Sequence, residues 1–340
     1  MSLITTMKEV SRLRQIVTIL AEQELFLIID KLKLKKHLPL SHKEKYLANK
    51  SEVPRRLRLV MEQLSGAFVK LGQLLSLRAD LIPKEYAQEF SKLQDEVKPF
   101  KFEKVKEIIE KEFQKPLSDL FLKIDPVPIA AASVGQVHKA MLNDGKIVAV
   151  KVQRPNIDKL FEIDIALLYH LAYLLEKYYP ELKDYNFTEI VKEFEEYTKN
   201  ELDYMYEARN IDIFYNNFKN DPIKIPKVYW NYTTKRVLTM EFIKGVKITQ
   251  VNKNRPHYVK QIVESYIKQT MEYGVFHADP HPGNIFVMPN QQLALLDFGI
   301  VGHISNELKD KFESVFVGLI NGDRELLAES LIDLQIVNHD

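Results

Sequence analysis

The chain has 340 residues, with 48 Lys and Arg against 47 Asp and Glu, a net charge of +1. That length can bury a large core, and the even charge balance gives no basic face of the kind that binds nucleic acid. There is no cysteine, which excludes a disulfide scaffold, thiol catalysis and a cysteine zinc site, and suits a reducing, cytoplasmic setting.

Residues 5–36 read as one or two amphipathic helices ending in the basic run Lys31-Leu32-Lys33-Leu34-Lys35-Lys36. An apolar face of this kind either packs into a core or lies on an anionic membrane surface. The Leu38-Pro39-Leu40 stretch breaks the pattern. Helices are predicted over 52–79 and 83–97, the second opened by Pro83. In the first, Gly66, Lys70, Gln73 and Leu77 form one stripe, with Leu64, Phe68, Val69, Leu71 and Leu75 in the other directions. Such a helix is buried, so Lys70 and Gln73 are expected to face a polar partner inside the protein, a solvated lysine on an exposed stripe being the alternative. A further helix is predicted over 101–124.

Pro128-Ile129-Ala130-Ala131-Ala132-Ser133-Val134-Gly135-Gln136-Val137 reads as strand, loop, strand. Lys146 to Val150, after the Asn143-Asp144-Gly145 turn, alternates like a strand and ends at Lys151. Between Lys151 and Pro226 the apolar stripe Leu160, Ile163, Leu167, Leu168, Leu171, Leu174, Leu175 marks a long helical insertion. It continues through Phe187, Ile190, Val191 and Phe194 to Glu201-Leu202-Asp203 and Glu207. Glu201 and Asp203 lie about 200° apart on a regular helix, which cannot aim both at one lysine. Strands are expected at Val228–Trp230 and Val237–Met240, followed by Glu241-Phe242-Ile243. Phe312 to Val337 reads as helix.

His277-Ala278-Asp279-Pro280-His281-Pro282-Gly283-Asn284 and Leu296-Asp297-Phe298-Gly299 carry the chemistry. The order and spacing of Asp279, Asn284 and Asp297 match a protein-kinase catalytic loop and metal-binding turn. Phosphoryl transfer needs a carboxylate beside the nucleophile, here Asp279. It also needs amide and carboxylate oxygens, Asn284 and Asp297, to hold Mg²⁺ on the nucleotide phosphates. His277 and His281 read as loop-fixing hydrogen bonders. In the same pattern Lys151 grips the phosphates of ATP. The phosphate-covering loop would run from Ala130 to Val137, with Ala130 and Ala132 where glycines are usual and only Gly135 kept. Met240 would sit beside the adenine, and the Glu241 carbonyl and Ile243 N–H would bond its edge.

The alanine-rich loop, Lys70-Leu71-Gly72-Gln73 and Glu201-Leu202-Asp203 resemble the UbiB family of atypical kinases, also called aarF-domain kinases. The likeness runs from about Phe68 to Gly299 and includes Ser76, Arg78, Asp80, Pro83, Leu93-Gln94-Asp95 and Pro99. It implies an α+β, two-lobed protein-kinase-like fold: a small antiparallel-sheet N-lobe with extra helices and a helical C-lobe, preceded by a helical extension. The implied segments are 1–50 (amphipathic helices), 51–125 (Lys-x-Gly-Gln extension), 126–243 (N-lobe) and 244–340 (a C-lobe cut short). The family's roles would make Glu207 the partner of Lys151, and Lys70, Gln73, Glu201 and Asp203 a cover over the nucleotide pocket. They also imply ATP and Mg²⁺ as cofactors and a link to lipids or isoprenoid-quinone precursors at a membrane surface. Ala278 stands where regulated kinases have Arg, and no Ala-Pro-Glu follows Gly299, so a peptide-docking platform is not expected. The resemblance therefore favours an ATPase or small-molecule kinase. A nucleotide-dependent lipid-binding scaffold is the alternative, and a true protein kinase comes third. No apolar run reaches the roughly 18 residues of a membrane span, and the N-terminus lacks a signal-peptide layout. By the resemblance, further C-terminal sequence with membrane helices is expected in the full-length protein.

Overall fold

A computed structural model describes residues 7–38, 50–78, 81–93, 97–279 and 281–334. The expectations placed on Pro39, Leu40, Asp80, Gln94, Asp95, Pro280 and the end of the helix at Val337 lie outside the described residues. The chain divides into two compact units, one of residues 1–146, 150–203 and 235–237, the other of 147–149, 204–234 and 238–340.

The first unit begins with α1 (Met7–Glu22) and α2 (Phe26–Lys31). Leu13, Ile16, Val17 and Leu20 of α1 and Phe26 and Ile29 of α2 are buried, so the apolar face is spent on core packing. α3 (Val53–Leu64) and α4 (Ala67–Leu77) replace the single helix predicted over 52–79. The break falls at Ser65 and Gly66, both at φ +57°, a conformation that ends a helix and that glycine adopts without a Cβ clash. Arg12 of α1 bonds the Leu64 carbonyl at 2.9 Å and pairs with Asp164 at 2.7 Å. Burial pushes the Asp164 carboxyl up, against the pull of Arg12. α5 (Lys84–Phe90) is shorter than the predicted 83–97. Val69, Phe90 and Leu93 form a core cluster with Met61 packed on it.

α6 (Phe102–Phe113) and α7 (Leu117–Leu120) come next, and residues 121–124, expected as helix, form strand β1 (Phe121–Ile124). β1's register against β3 buries Phe121, and pairing outweighs helical propensity there. β2 (Ala130–Ala131) and β3 (Gly135–Leu142) pair antiparallel as the strand-loop-strand reading expects. β4 (Ile147–Gln153) runs two residues beyond Lys151, so the lysine lies within the strand and does not close it. α8 (Ile157–Tyr178) and α9 (Phe187–Glu201) pack on each other, and α1 and α4 contact α8.

The second unit holds α10 (Tyr204–Asn217), most of β5 (Val237–Glu241), β6 (Val246–Lys247) and α11 (Arg255–Ile267). Val228 makes only an isolated bridge to Met240, and Trp230–Tyr232 is a 3₁₀ turn, so the strand expected at Val228–Trp230 does not form. A π-helical stretch, Lys268–Tyr273, leads into β7 (Val275–His277). β8 (Ile285–Val287) and β9 (Leu293–Leu295) form a hairpin with β6 alongside β8, and β10 (Val301–His303) pairs with β7. α12 (Asn306–Asn321) and α13 (Arg324–Asp333) divide the helix predicted from Phe312, because Gly322 takes φ +66° between them. Among the described residues no helix is long and apolar enough to cross a membrane.

Candidate functional site

In the second unit, β8 and β9 pair Ile285 with Leu295, and the Leu296 N–H donates to the Asn284 carbonyl at 2.9 Å. This antiparallel closure brings the Asn284 end of the catalytic loop beside the start of the Asp-Phe-Gly turn. Asn284 Nδ2 donates to the Asp279 carboxylate at 2.9 Å, which holds the loop's two ends together. Ala278 N–H donates to the Ile300 carbonyl at 3.2 Å, tying the loop to the far side of the same turn.

Local bonds set the loop's shape. His277 Nδ1 accepts the Asp279 N–H at 3.2 Å, and its Nε2 lies 3.3 Å from the Leu296 carbonyl. The two contacts assign the tautomer with the proton on Nε2. His281 Nδ1 accepts the Gly283 N–H at 3.0 Å. Both histidines thus fix the loop, as their sequence context suggests. Tyr266 donates to the His277 carbonyl at 3.0 Å. Burial, with the Asp279 carboxylate adding to it, pushes the Tyr266 hydroxyl up to about 12, so it stays protonated and donating.

Asp297 sits at φ +61°. Asp tolerates this left-handed region better than most residues, and strain of this kind collects where a side chain must be aimed. Its Oδ1 accepts the Gly299 N–H at 3.3 Å. Phe298 is fully buried, 4.9 Å from the Phe214 ring and 5.1 Å from the His277 ring between centroids. Asn210 Nδ2 donates to the Phe298 carbonyl at 2.9 Å. Helix α10 thus supports the turn with Asn210 and Phe214, and the same helix carries the buried Glu207. Sequence reasoning missed Asn210. Its signal was an amide three residues after Glu207 and four before Phe214, on one helical face.

The oxygen donors fit a hard divalent cation. Asp297 offers a carboxylate and Asn284 an amide oxygen, the ligand types Mg²⁺ prefers when phosphate and water complete its shell. Among the described residues no three His, Asp or Glu side chains gather as a metal cluster. Met240 and Ile243 are buried at and just beyond the end of β5. The Glu241 carboxylate pairs with Lys224 at 2.7 Å, and its N–H donates to the Lys227 carbonyl.

The first unit holds the other predicted residues. Lys70 Nζ pairs with Glu201 at 2.6 Å, the two side chains 12% and 18% exposed. Gln73 Nε2 donates to the Leu93 carbonyl at 3.3 Å. Both motif residues do face polar partners. Gly72 between them lets the helix pack closely, because a Cβ there would lie 2.3 Å from Leu93 Cδ1 and 2.7 Å from Met61 Sδ and those side chains would have to shift. Glu201 ends α9, Leu202 caps it and Asp203 precedes α10. The two carboxylates are therefore not on one continuous helix, which removes the 200° conflict.

In the alanine-rich loop the Ala132 N–H donates to the Gly135 carbonyl at 2.8 Å, closing a tight turn over Ser133 and Val134. No residue from 128 to 137 has a positive φ. The turn therefore asks nothing of glycine at Ala130 or Ala132. Gln136 Oε1 accepts the Phe100 N–H at 2.8 Å and its Nε2 donates to the Phe100 carbonyl at 3.2 Å. His138 is fully buried, its Nδ1 2.7 Å from the Asp125 carbonyl and its Nε2 2.8 Å from the Gln136 amide. Burial lowers its pKa below the ordinary histidine value.

Residues 92–331 match the model of the ABC1 atypical kinase-like domain. The chain is 38% identical over 302 residues to Arabidopsis thaliana ACTIVITY OF BC1 COMPLEX KINASE 7, chloroplastic, an alignment covering 86% of this chain and 43% of that protein. It is 43% identical over 261 residues to a Marinobacter nauticus protein named as a probable protein kinase UbiB, covering 74% of this chain and 48% of that one. The chain thus spans less than half the length of these relatives. A solved erythromycin complex of a Mycobacterium tuberculosis protein superposes with a TM-score of 0.62 at 25% identity, over 82% of this chain and 72% of that one.

Proposed function

Because this chain belongs to the ABC1/UbiB family of atypical kinases, we propose that it binds Mg-ATP and hydrolyses it or transfers its terminal phosphoryl group. The observation that carries the reading is the closure of the catalytic loop onto the Asp-Phe-Gly turn through Asn284, with its amide on the Asp279 carboxylate. A pure scaffold has no need for that carboxylate in that place.

Asn284 and Asp297 would hold Mg²⁺, which supplies charge neutralisation on the phosphates when bound. Asp279 accepts the proton of the attacking hydroxyl or water. Lys151 and Glu207 position the phosphates, and the alanine-rich loop covers them. The backbone around Met240, Glu241 and Ile243 receives the adenine. Lys70, held by Glu201, forms with Gln73 and Asp203 a cover that narrows access for bulky acceptors, so a lipid or isoprenoid-quinone precursor is the acceptor class we favour over a peptide. The basic run Lys31–Lys36 is the part of the N-terminal helices suited to an anionic membrane surface.

The test is Mg-dependent nucleotide binding by thermal shift, with phosphate release measured with and without anionic liposomes. Asp297→Asn should abolish most of the Mg-dependent stabilisation, since an amide lacks the charge a carboxylate brings to Mg²⁺. Asn suits the left-handed backbone there, so the variant stays folded. Unchanged Mg-ATP stabilisation would overturn the metal assignment. Nucleotide binding with no phosphate release at any lipid composition would favour the scaffold.

A further inference from the structure

Arg154, the residue after β4, directs its main-chain N–H and two side-chain bonds at one loop. Its main-chain N–H donates to the Val134 carbonyl at 2.8 Å. Its Nε donates to the Ser133 carbonyl at 3.2 Å, and its Nη2 to the Ala132 carbonyl at 3.1 Å. The same Nη2 reaches the Lys98 carbonyl at 3.2 Å, and the guanidinium lies 5.4 Å from the centre of the Phe100 ring. Three consecutive loop carbonyls therefore face one residue.

In a trans peptide the N–H points opposite to the carbonyl that precedes it, and no peptide bond in the described residues is cis. With the carbonyls of Ala132, Ser133 and Val134 drawn toward Arg154, the N–H groups of Ser133, Val134 and Gly135 point to the other side. Successive N–H groups aimed one way form a concavity suited to an anion. A glycine-rich loop reaches such a shape by flexibility and loses entropy when the phosphate orders it. Here a planar fork of donors orders the carbonyls in advance.

We infer that Arg154 is a positioning residue that presets the peptides of the alanine-rich loop for phosphate oxygens. It also links that loop to the segment Lys98–Phe100, which follows the Lys-x-Gly-Gln helices. The inference rests on the nucleotide reading proposed above. It names a residue that acts through the loop and does not itself touch the nucleotide. It also accounts for a phosphate-covering turn that works with alanine at two of three glycine positions.

Hydrogen exchange on the ligand-free chain tests the first half. Arg154→Met should raise exchange of the Ala132 amide, whose bond to the Gly135 carbonyl closes the turn, by about tenfold or more, the scale of losing one or two hydrogen bonds. Exchange at 277–299 should stay as in the wild type. Arg154→Lys should fall between, since one ammonium cannot reach every carbonyl. Wild-type exchange in the loop of Arg154→Met overturns the inference whatever the nucleotide does. The second half is a kinetic split: Arg154→Lys and Arg154→Met should raise the KM for Mg-ATP by about tenfold with kcat nearly unchanged, because uniform binding is what is lost. In Arg154→Ala, millimolar guanidinium should restore both loop protection and KM, and urea should not. Raised exchange with an unchanged KM reduces Arg154 to a structural role and also overturns the proposal. A wild-type chain that binds no Mg-nucleotide instead brings down the nucleotide reading on which it rests, and is recognised by that result alone.

Discussion

The Asp-Phe-Gly turn with its catalytic loop carries a network of its own short-range bonds, whereas the carbonyls of the alanine-rich loop are held by a residue far along the chain. In the first, four bonds run between residues two to five apart, from Asp279 to His277, Gly283 to His281, Asn284 to Asp279 and Gly299 to Asp297, with Asn210 and Tyr266 adding support. One residue there accepts a left-handed backbone. In the second, no residue is left-handed, and the carbonyls are held by a guanidinium about twenty positions away. A shape set from within survives wherever its own short sequence is present. A shape set from outside depends on a partner that the loop does not encode.

The sharpest break in that contrast is Asp279→Asn. The new amide oxygen can still accept the bond from Asn284, so the internally held loop should keep its shape and its nucleotide affinity. Turnover should fall by about 10²-fold or more, the scale of a general base. Phosphate release and thermal shift measured together check it, and wild-type turnover would leave Asp279 a purely structural role.

His277→Phe attacks the internal network while keeping a ring against Phe298. It leaves the half-buried Asp279 N–H and Leu296 carbonyl without their partner, a cost of about 1 kcal/mol. Denaturant unfolding should show that loss, with nucleotide affinity falling too because the turn itself is loosened. A variant as stable as the wild type would mean the loop is not held from within.

The outer supports of the alanine-rich loop include His138, which reaches Phe100 through Gln136. Its folded-state pKa is lowered by burial, so the neutral ring is the native form. The stability this contributes is present above the ordinary histidine value and is lost as pH falls through the lowered one. One group changes stability by at most about 1.4 kcal/mol per pH unit. The wild type should therefore lose stability through the mildly acidic range more steeply than His138→Asn. Identical pH profiles would remove His138 from the supports.

Ala132→Gly should do least. The native backbone at 132 is open to alanine, so glycine adds only unfolded-state freedom, about 0.4–1 kcal/mol. Nucleotide affinity should shift by a few-fold at most while Arg154 is present. A large change in affinity would show that residue 132, and not Arg154, sets the loop.

The same contrast decides what could be read from the sequence. The closure that ties Asp279 to Asn284 and brings Asn284 beside the start of the Asp-Phe-Gly turn was legible because it depends on fixed short spacings. Lys70 facing a buried polar partner was legible from a polar stripe on an otherwise apolar helix. The break at Ser65 and Gly66 was not, because apolar periodicity runs through it and the kink follows from two left-handed residues. Phe121–Ile124 was misread as helix because its strand exists only by pairing with residues 140–142. Glu201 and Asp203 looked irreconcilable because an end to α9 at Glu201 carries no glycine or proline to announce it. Arg154 was invisible for the reason it matters, since its bonds reach 21 and 22 residues back along the chain.

The pair of Arg12 and Asp164 bears on how the protein is made. These residues are 152 positions apart, so at about 5–20 residues per second the ribosome delivers the carboxylate roughly eight to thirty seconds after the guanidinium. For much of that interval the first helix has left the tunnel, yet the acid that pairs with its Arg12 has not been synthesised. Its apolar face must then be sheltered by a nascent-chain chaperone or by transient clustering with α3. A pause in synthesis once Asp164 has left the tunnel would give the helix time to dock.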